Sequence, residues 1–492
     1  MSELPPQGEP AGLPEPFPTP PPIPPQVPAT LLATPVLPAP QPDLHRSSVL
    51  LAILSGLGLA LAGLVALGLF LLGLGDLARG RSSQANASSL FSIAWVSLLV
   101  AALQLPSLIH SIRRLSGKTP VEAPPHRRWL AATLCLVLMI PLVIFGQSLT
   151  IRTTSTSLLF LPPLQLAVIG LPIWWAFETG RRGLLGGSAQ RRWGVVSVGT
   201  LITMPVVLIV ELLAVVVFGL VIFSLIAVQP QALQQMQDLL QGMSRGAVDP
   251  QAVTALIEPY LKQPIIIFMV VAGGAAFVPL LEEAFKPLAL WFLSGRNMTP
   301  AQGFTAGLAS GAVFALLESL FSLSPSMGAD WSGVVIGRMG TGLLHVTCSS
   351  LVGWGLALAW RRASYFKLGG LYLLAVSLHG SWNGISLLSG FSGTLDQAQP
   401  GWMAWLGENG SWLLGLLVVI NLVILVSANR YLRTHPEPPL GGVEQPPADL
   451  AWVPAPVDPP GVVIQAIIFR TPPPCGERPP ISGENSTEGS SA

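Results

Sequence analysis

Five side chains that can move protons or hold a metal ion lie inside strongly apolar stretches in the last part of the chain. Glu282 and Glu283 sit in LLEEAFKP, Glu318 in FALLES, His345 in LLHVTCSS and His379 in SLHGSWNG. An ionisable group at the centre of a membrane helix costs roughly 2.5–3.5 kcal/mol on insertion scales, so it marks a function by default. A lone buried histidine is usually a satisfied core residue, and an EExxK pair alone can be a charge pair at a helix end. Two imidazoles and three carboxylates in four successive apolar runs are better explained as one site. Glu282 and Lys286 are four residues apart, on one helix face, where an ammonium offsets one negative charge. Glu283 points about 100° away, so the two glutamates are expected to divide the labour, Glu282 as base and Glu283 as its support. Ser349 lies four residues after His345 and Asn383 four after His379. Each pair places a hydrogen-bonding group where it can orient an imidazole.

Two chemistries suit this set. His345, His379 and Glu318 match the two-histidine, one-carboxylate pattern of catalytic zinc sites, with Glu282 or Glu283 as general base. Alternatively, a buried glutamate activates water without a metal, and His379 with Asn383 stabilises the oxyanion. No HExxH helix is present. Two other readings use the same residues: a proton-coupled transporter, which also places Glu, His and Lys in membrane helices, and a non-catalytic membrane scaffold. No inverted repeat is evident, and no residue of the set is missing.

The elements that must position these groups are membrane helices. The chain is 51% hydrophobic and only 10% charged, far below the quarter typical of soluble domains. A spanning helix needs about 20 apolar residues. Ten such runs are expected, at about 48–75, 90–112, 129–149, 157–177, 194–227, 264–294, 301–323, 333–360, 367–390 and 410–429. The runs are continuous rather than alternating, which fits helices and not barrel strands. The fold class is therefore all-α, a polytopic transmembrane helix bundle. Gly273, Gly274 and Pro279 predict a kink in the run 264–294. Glu211 is a further carboxylate deep in the run 194–227, either paired with the site or near an interface. The glycines of 48–75 predict close helix packing.

Lys and Arg mark the sides. Arg113, Arg114, Lys118, Arg127, Arg128, Arg181, Arg182, Arg191 and Arg192 fall on one side, with Arg46, Arg296, Arg361, Arg362, Lys367, Arg430 and Arg433. Arg79, Arg81, Arg152, Arg245 and Lys262 fall on the other. This bias predicts both termini in the cytoplasm, and the plasma membrane is the expected location. A net charge of +1 gives no field for nucleic acid. Cys135, Cys348 and Cys475 form no framework or zinc spacing, and the first two read as small core residues.

The expected organisation is a Pro-rich disordered tail (1–46), N-terminal helices (47–229), an extramembrane helical loop (230–263), a catalytic helix core (264–390), a last loop and span (391–430), and a second Pro-rich disordered tail (431–492).

EEAFK, FALLE, HVTCS and HGSWN, in that order, resemble the motif series of the PrsW family of bacterial intramembrane proteases, relatives of the type II CAAX prenyl endopeptidases and bacteriocin-processing peptidases. The likeness covers roughly 264–390. It implies hydrolysis of a membrane-anchored protein, such as an anti-sigma factor-like substrate. It also implies Glu282, Glu283, His345 and His379 as catalytic residues, with Glu318 completing the site. Family usage favours one divalent ion, zinc above others. The chain departs from the pattern in its five additional N-terminal spans and in Ser319, where many relatives carry Asn.

Overall fold

In a computed structural model, residues 42–79, 84–118, 128–151, 155–227, 263–293, 298–323, 330–392 and 401–437 are described, with residues 234, 237 and 241. Most of the expected Pro-rich tails and nearly all of the loop 230–263 lie outside them, but residues 42–46 and 431–434, expected in the disordered tails, are helical.

Every element among the described residues is helical. The order is α1 (Pro42–Ala78), α2 (Gln84–Leu115), α3 (Arg128–Val137), α4 (Met139–Ile151), α5 (Ser155–Gly180), α6 (Ala189–Val198), a π-helical turn (Gly199–Thr203), α7 (Met204–Ala227), α8 (Pro264–Ala272), a second π turn (Gly273–Phe277), α9 (Val278–Phe285), α10 (Leu288–Leu293), α11 (Pro300–Leu323), α12 (Trp331–Arg362), α13 (Tyr365–Ser392) and α14 (Gly401–Thr434). Eight helical stretches are long and apolar enough to cross a membrane, and the pair α3–α4, bent by 41°, makes a ninth. The tenth expected span is α13, whose 28 residues reach about 42 Å at 1.5 Å per residue. Its Lys367, His379 and glycines make it less apolar than the others.

The core sits around α11 and α12, whose side chains are buried along most of their length. The cause is visible in the sequence. Gly303, Gly307 and Gly311 recur every fourth residue and form one stripe on α11, and α12 lies directly on it. A Cβ at Gly307 would collide with the Ser349 carbonyl, and one at Gly311 with the carbonyl of His345. Small residues allow this backbone approach in a bilayer. The outer helices behave oppositely. Leu208, Ile209, Leu212 and Leu213 of α7 and Leu57, Leu61 and Leu64 of α1 are exposed, as a lipid-facing surface requires.

Gly307→Val is expected to push α11 from α12 and destabilise the protein by about 1–3 kcal/mol, the usual cost of overpacking. Thermal unfolding in detergent checks this. An unchanged melting temperature would contradict the packing described.

Candidate active site between the buried helices

Two interruptions of regular helix set the geometry of the glutamates. At Gly273–Phe277 the helix widens by one residue, and the Val278 N–H reaches back to the Gly273 carbonyl. A π turn leaves backbone groups off the regular ladder and often accompanies functional sites. Here the Asn383 Nδ2 donates to the Gly274 carbonyl at 2.9 Å. Asn383 thus pins α13 to the π turn rather than orienting His379. Ten residues on, Pro287 ends α9. The Lys286 carbonyl accepts instead from Ser310 Oγ on α11, at 2.6 Å.

Lys286 is wholly buried and stands at the centre of the site. Its Nζ lies 2.6 Å from Glu283 Oε1, 2.8 Å from Glu282 Oε2 and 2.8 Å from His345 Nδ1. The ammonium also sits over the Phe314 ring, 4.4 Å from its centroid. The helical angle between the glutamates does not separate them, because one flexible lysine at i+4 and i+3 reaches both. Since Lys286 only donates, His345 Nδ1 is the acceptor and the ring proton falls on Nε2. Nε2 faces Glu318 Oε2 at 2.7 Å, and Glu318 Oε1 accepts from Arg338 Nη1 at 2.9 Å.

His379 closes the other side. Its Nδ1 is 3.0 Å from Glu283 Oε1 and its Nε2 is 3.8 Å from Glu282 Oε2. The two imidazoles meet edge to face, with centroids 4.9 Å apart. Glu283 Oε1 is therefore shared by Lys286 and His379, while its Oε2 has no hydrogen-bond partner among the described residues. Glu282 Oε2, at ion-pair distance from Lys286, lacks hydrogen-bond alignment with it, as do Glu318 Oε2 and His345 Nε2 with each other. These three contacting atoms keep lone-pair or donor capacity for a further partner.

The structure thus brings Glu282, Glu283, Glu318, His345, His379 and Lys286 together. It does not give Ser349 the expected role, since its Oγ makes no hydrogen bond among the described residues. Cys348 is a core residue, as expected, and Cys135 is half-buried. Two participants need separate mention. Arg338 was not singled out in the sequence, although an arginine two turns before His345 on a membrane helix is a signal of the same kind. Glu211, undecided from sequence, faces Glu282 from α7.

Donor atoms of Glu282, Glu283, His345 and His379 lie within 4.8 Å of one another. Imidazole and carboxylate donors suit zinc in type and number. Carboxylates also outnumber side-chain cations here, with Glu211, Glu282, Glu283 and Glu318 facing Lys286 and Arg338. A divalent ion or two protons balances that excess. The set therefore fits a metal, on condition that Lys286 Nζ withdraws from the donors it now touches. Glu318, placed behind His345, is not one of the four converging donors.

Residues 205–425 match the family model of the PrsW family intramembrane metalloproteases. The match reaches beyond 264–390 on both sides, taking in Glu211 on α7 and most of α14. No curated protein and no solved structure matches the chain.

Proposed function

From the PrsW-family character of residues 205–425 as premise, we propose that the chain is an intramembrane peptidase that hydrolyses a peptide bond of single-span, membrane-anchored polypeptides. The observation that carries this reading is the convergence of Glu282, Glu283, His345 and His379 around the buried Lys286, inside helices of membrane-spanning length. The bundle lies in the plasma membrane with its arginine-rich side toward the cytoplasm.

Glu282 is the base. Its Oε2 is one of three carboxylate oxygens of the cluster without an aligned hydrogen bond, with those of Glu283 and Glu318, and it faces His379 Nε2 across 3.8 Å. A water between those two groups is deprotonated by Glu282, attacks the scissile carbonyl carbon, and breaks the carbon–nitrogen bond once the leaving amine takes the proton back from Glu282. Glu283 holds His379 through Nδ1 and so directs Nε2 at the water. Lys286 and His379 offset the developing oxyanion. Glu318 and Arg338 fix the His345 ring from behind. A divalent ion held by His345 and His379 with the glutamates supplies Lewis-acid polarisation and a more acidic water when bound.

Purified protein in proteoliposomes is expected to cut a single-span reporter at least ten times faster than soluble unfolded casein. Equal rates on both, abolished together by Glu282→Gln, would remove the intramembrane assignment. Elemental analysis of active protein is expected to find about one zinc per chain, lost in His379→Ala. Full activity with no bound metal after chelator washing would leave Glu282 acting without an ion.

A further inference from the structure

A cavity of about 290 Å³ lies away from the glutamate cluster between α2, α3, α5, α6 and α11. Its lining is graded. Arg128, Arg181 and Arg192 line it where α3 and α6 begin and α5 ends, whereas Gly170, Ile173 and Leu316 line it deeper in the bundle. Against the three arginines stands one acid in the lining, Glu178. Glu178 takes two hydrogen bonds from Arg181, from Nε at 2.8 Å and Nη2 at 2.7 Å. A guanidinium has five N–H donors, so this pairing leaves Arg181 capacity for another anion. Arg192 also donates from Nη1 to the Gly187 carbonyl. The lining thus carries its basic side chains at one end and no charged side chain at the other.

The polar end lies at the level of the bilayer interface. Trp174 and Trp193 line the same cavity, and the Arg182 guanidinium stacks 3.8 Å above the nearby Trp129 ring. Tryptophans collect at that depth because one edge is polar and the body apolar. From Arg181 to Gly170 along α5 is about 16 Å at 1.5 Å per residue, enough for a phosphate headgroup, a glycerol and the start of an acyl chain. Leu103, Ala312 and Leu316 are only half-buried, so the cavity opens outward.

We propose that this cavity binds an anionic glycerophospholipid, the phosphate against Arg128, Arg181 and Arg192 and an acyl chain along Ile173 and Leu316. Basic pockets between membrane helices recognise anionic headgroups in this way. A free phosphate would use the arginines but not the apolar wall, which is why the graded lining favours a lipid. Ala309, Ala312, Val313 and Leu316 face the cavity from α11, and Ser310, Phe314 and Glu318 of the same helix reach the glutamate cluster. The lipid thus braces α11 from the side opposite the catalytic groups.

The test is native mass spectrometry of the full chain in detergent with equal concentrations of phosphatidylglycerol and phosphatidylcholine. The expected result is one phosphatidylglycerol retained at least ten times more strongly than phosphatidylcholine and not displaced by excess inorganic phosphate. Ala312→Trp, which fills the cavity, and the double variant Arg128→Gln/Arg192→Gln, which removes two guanidiniums and the Arg192 hydrogen bond to the Gly187 carbonyl and is checked for folding by thermal unfolding, are each expected to weaken retention at least ten-fold. Equal retention of both lipids, displacement by inorganic phosphate, or undiminished phosphatidylglycerol binding by the folded double variant would overturn the proposal.

Discussion

Glu282→Gln is expected to lower cleavage of a membrane-anchored reporter by about 10²- to 10⁴-fold, the range that a positioned general base contributes. Glutamine keeps the shape of the side chain and a carbonyl oxygen facing Lys286, so the cluster keeps its packing. It cannot take a proton from water. Expression, membrane insertion and melting temperature should therefore stay close to wild type while the rate falls. Glu283→Gln should behave differently. Glu283 is fully buried, accepts from Lys286 at 2.6 Å and contacts His379 Nδ1 at 3.0 Å. Its loss weakens the hold on both partners, so activity and melting temperature should fall together. The measurement is reporter cleavage alongside thermal unfolding for both variants. A Glu282→Gln protein near wild-type activity beside an inactive but stable Glu283→Gln protein would reverse the two roles.

Lys286→Leu is expected to be the most destabilising single change in the site. The lysine is wholly buried and contacts Glu282, Glu283 and His345. Removing one partner of a buried ion pair costs about 3–5 kcal/mol, because the opposite charge remains uncompensated. Two carboxylates are left here. The effect should be partly relieved by Glu283→Gln in the same chain, which removes one stranded charge. A double-mutant cycle on melting temperature reads the coupling. Purely additive losses would show that Lys286 and Glu283 do not act as a pair.

The site residues were legible because the bilayer makes charge conspicuous. Glu282, Glu283, Glu318, His345 and His379 stand out against leucine, alanine and glycine, and nothing in a soluble protein gives so clean a background. Arg338 carries the same signal, but it sits in the glycine-rich first third of its helix, where a charge is also compatible with the interface. Glu211 could be seen but not placed, since its partner Glu282 is on a helix 71 positions away in the chain and no periodicity reports such a pairing. Helical angles suggested that Glu282 and Glu283 would face apart. The four-carbon stem of Lys286 overrides that, because its ammonium reaches both neighbours. The π turn at Gly273–Phe277 was legible only as a weak point. Gly273 and Gly274 predicted a kink, but whether a glycine pair bends, widens or merely packs is decided by what lies opposite, here Asn383 and Leu387. The same contact explains why Asn383 was misassigned to His379: four residues apart on a helix makes an interaction available, and a freed carbonyl on a neighbouring helix is the stronger partner.

Hydrolysis of a peptide bond within an apolar span is read by mass spectrometry of a single-span reporter after incubation with the reconstituted protein in H₂¹⁸O. The expected product is one new C-terminal carboxyl carrying one ¹⁸O, formed at a residue within the reporter's apolar segment and lost with Glu282→Gln. Products unlabelled by ¹⁸O, a cut confined to residues outside the apolar segment, or an unchanged product yield with Glu282→Gln would contradict it.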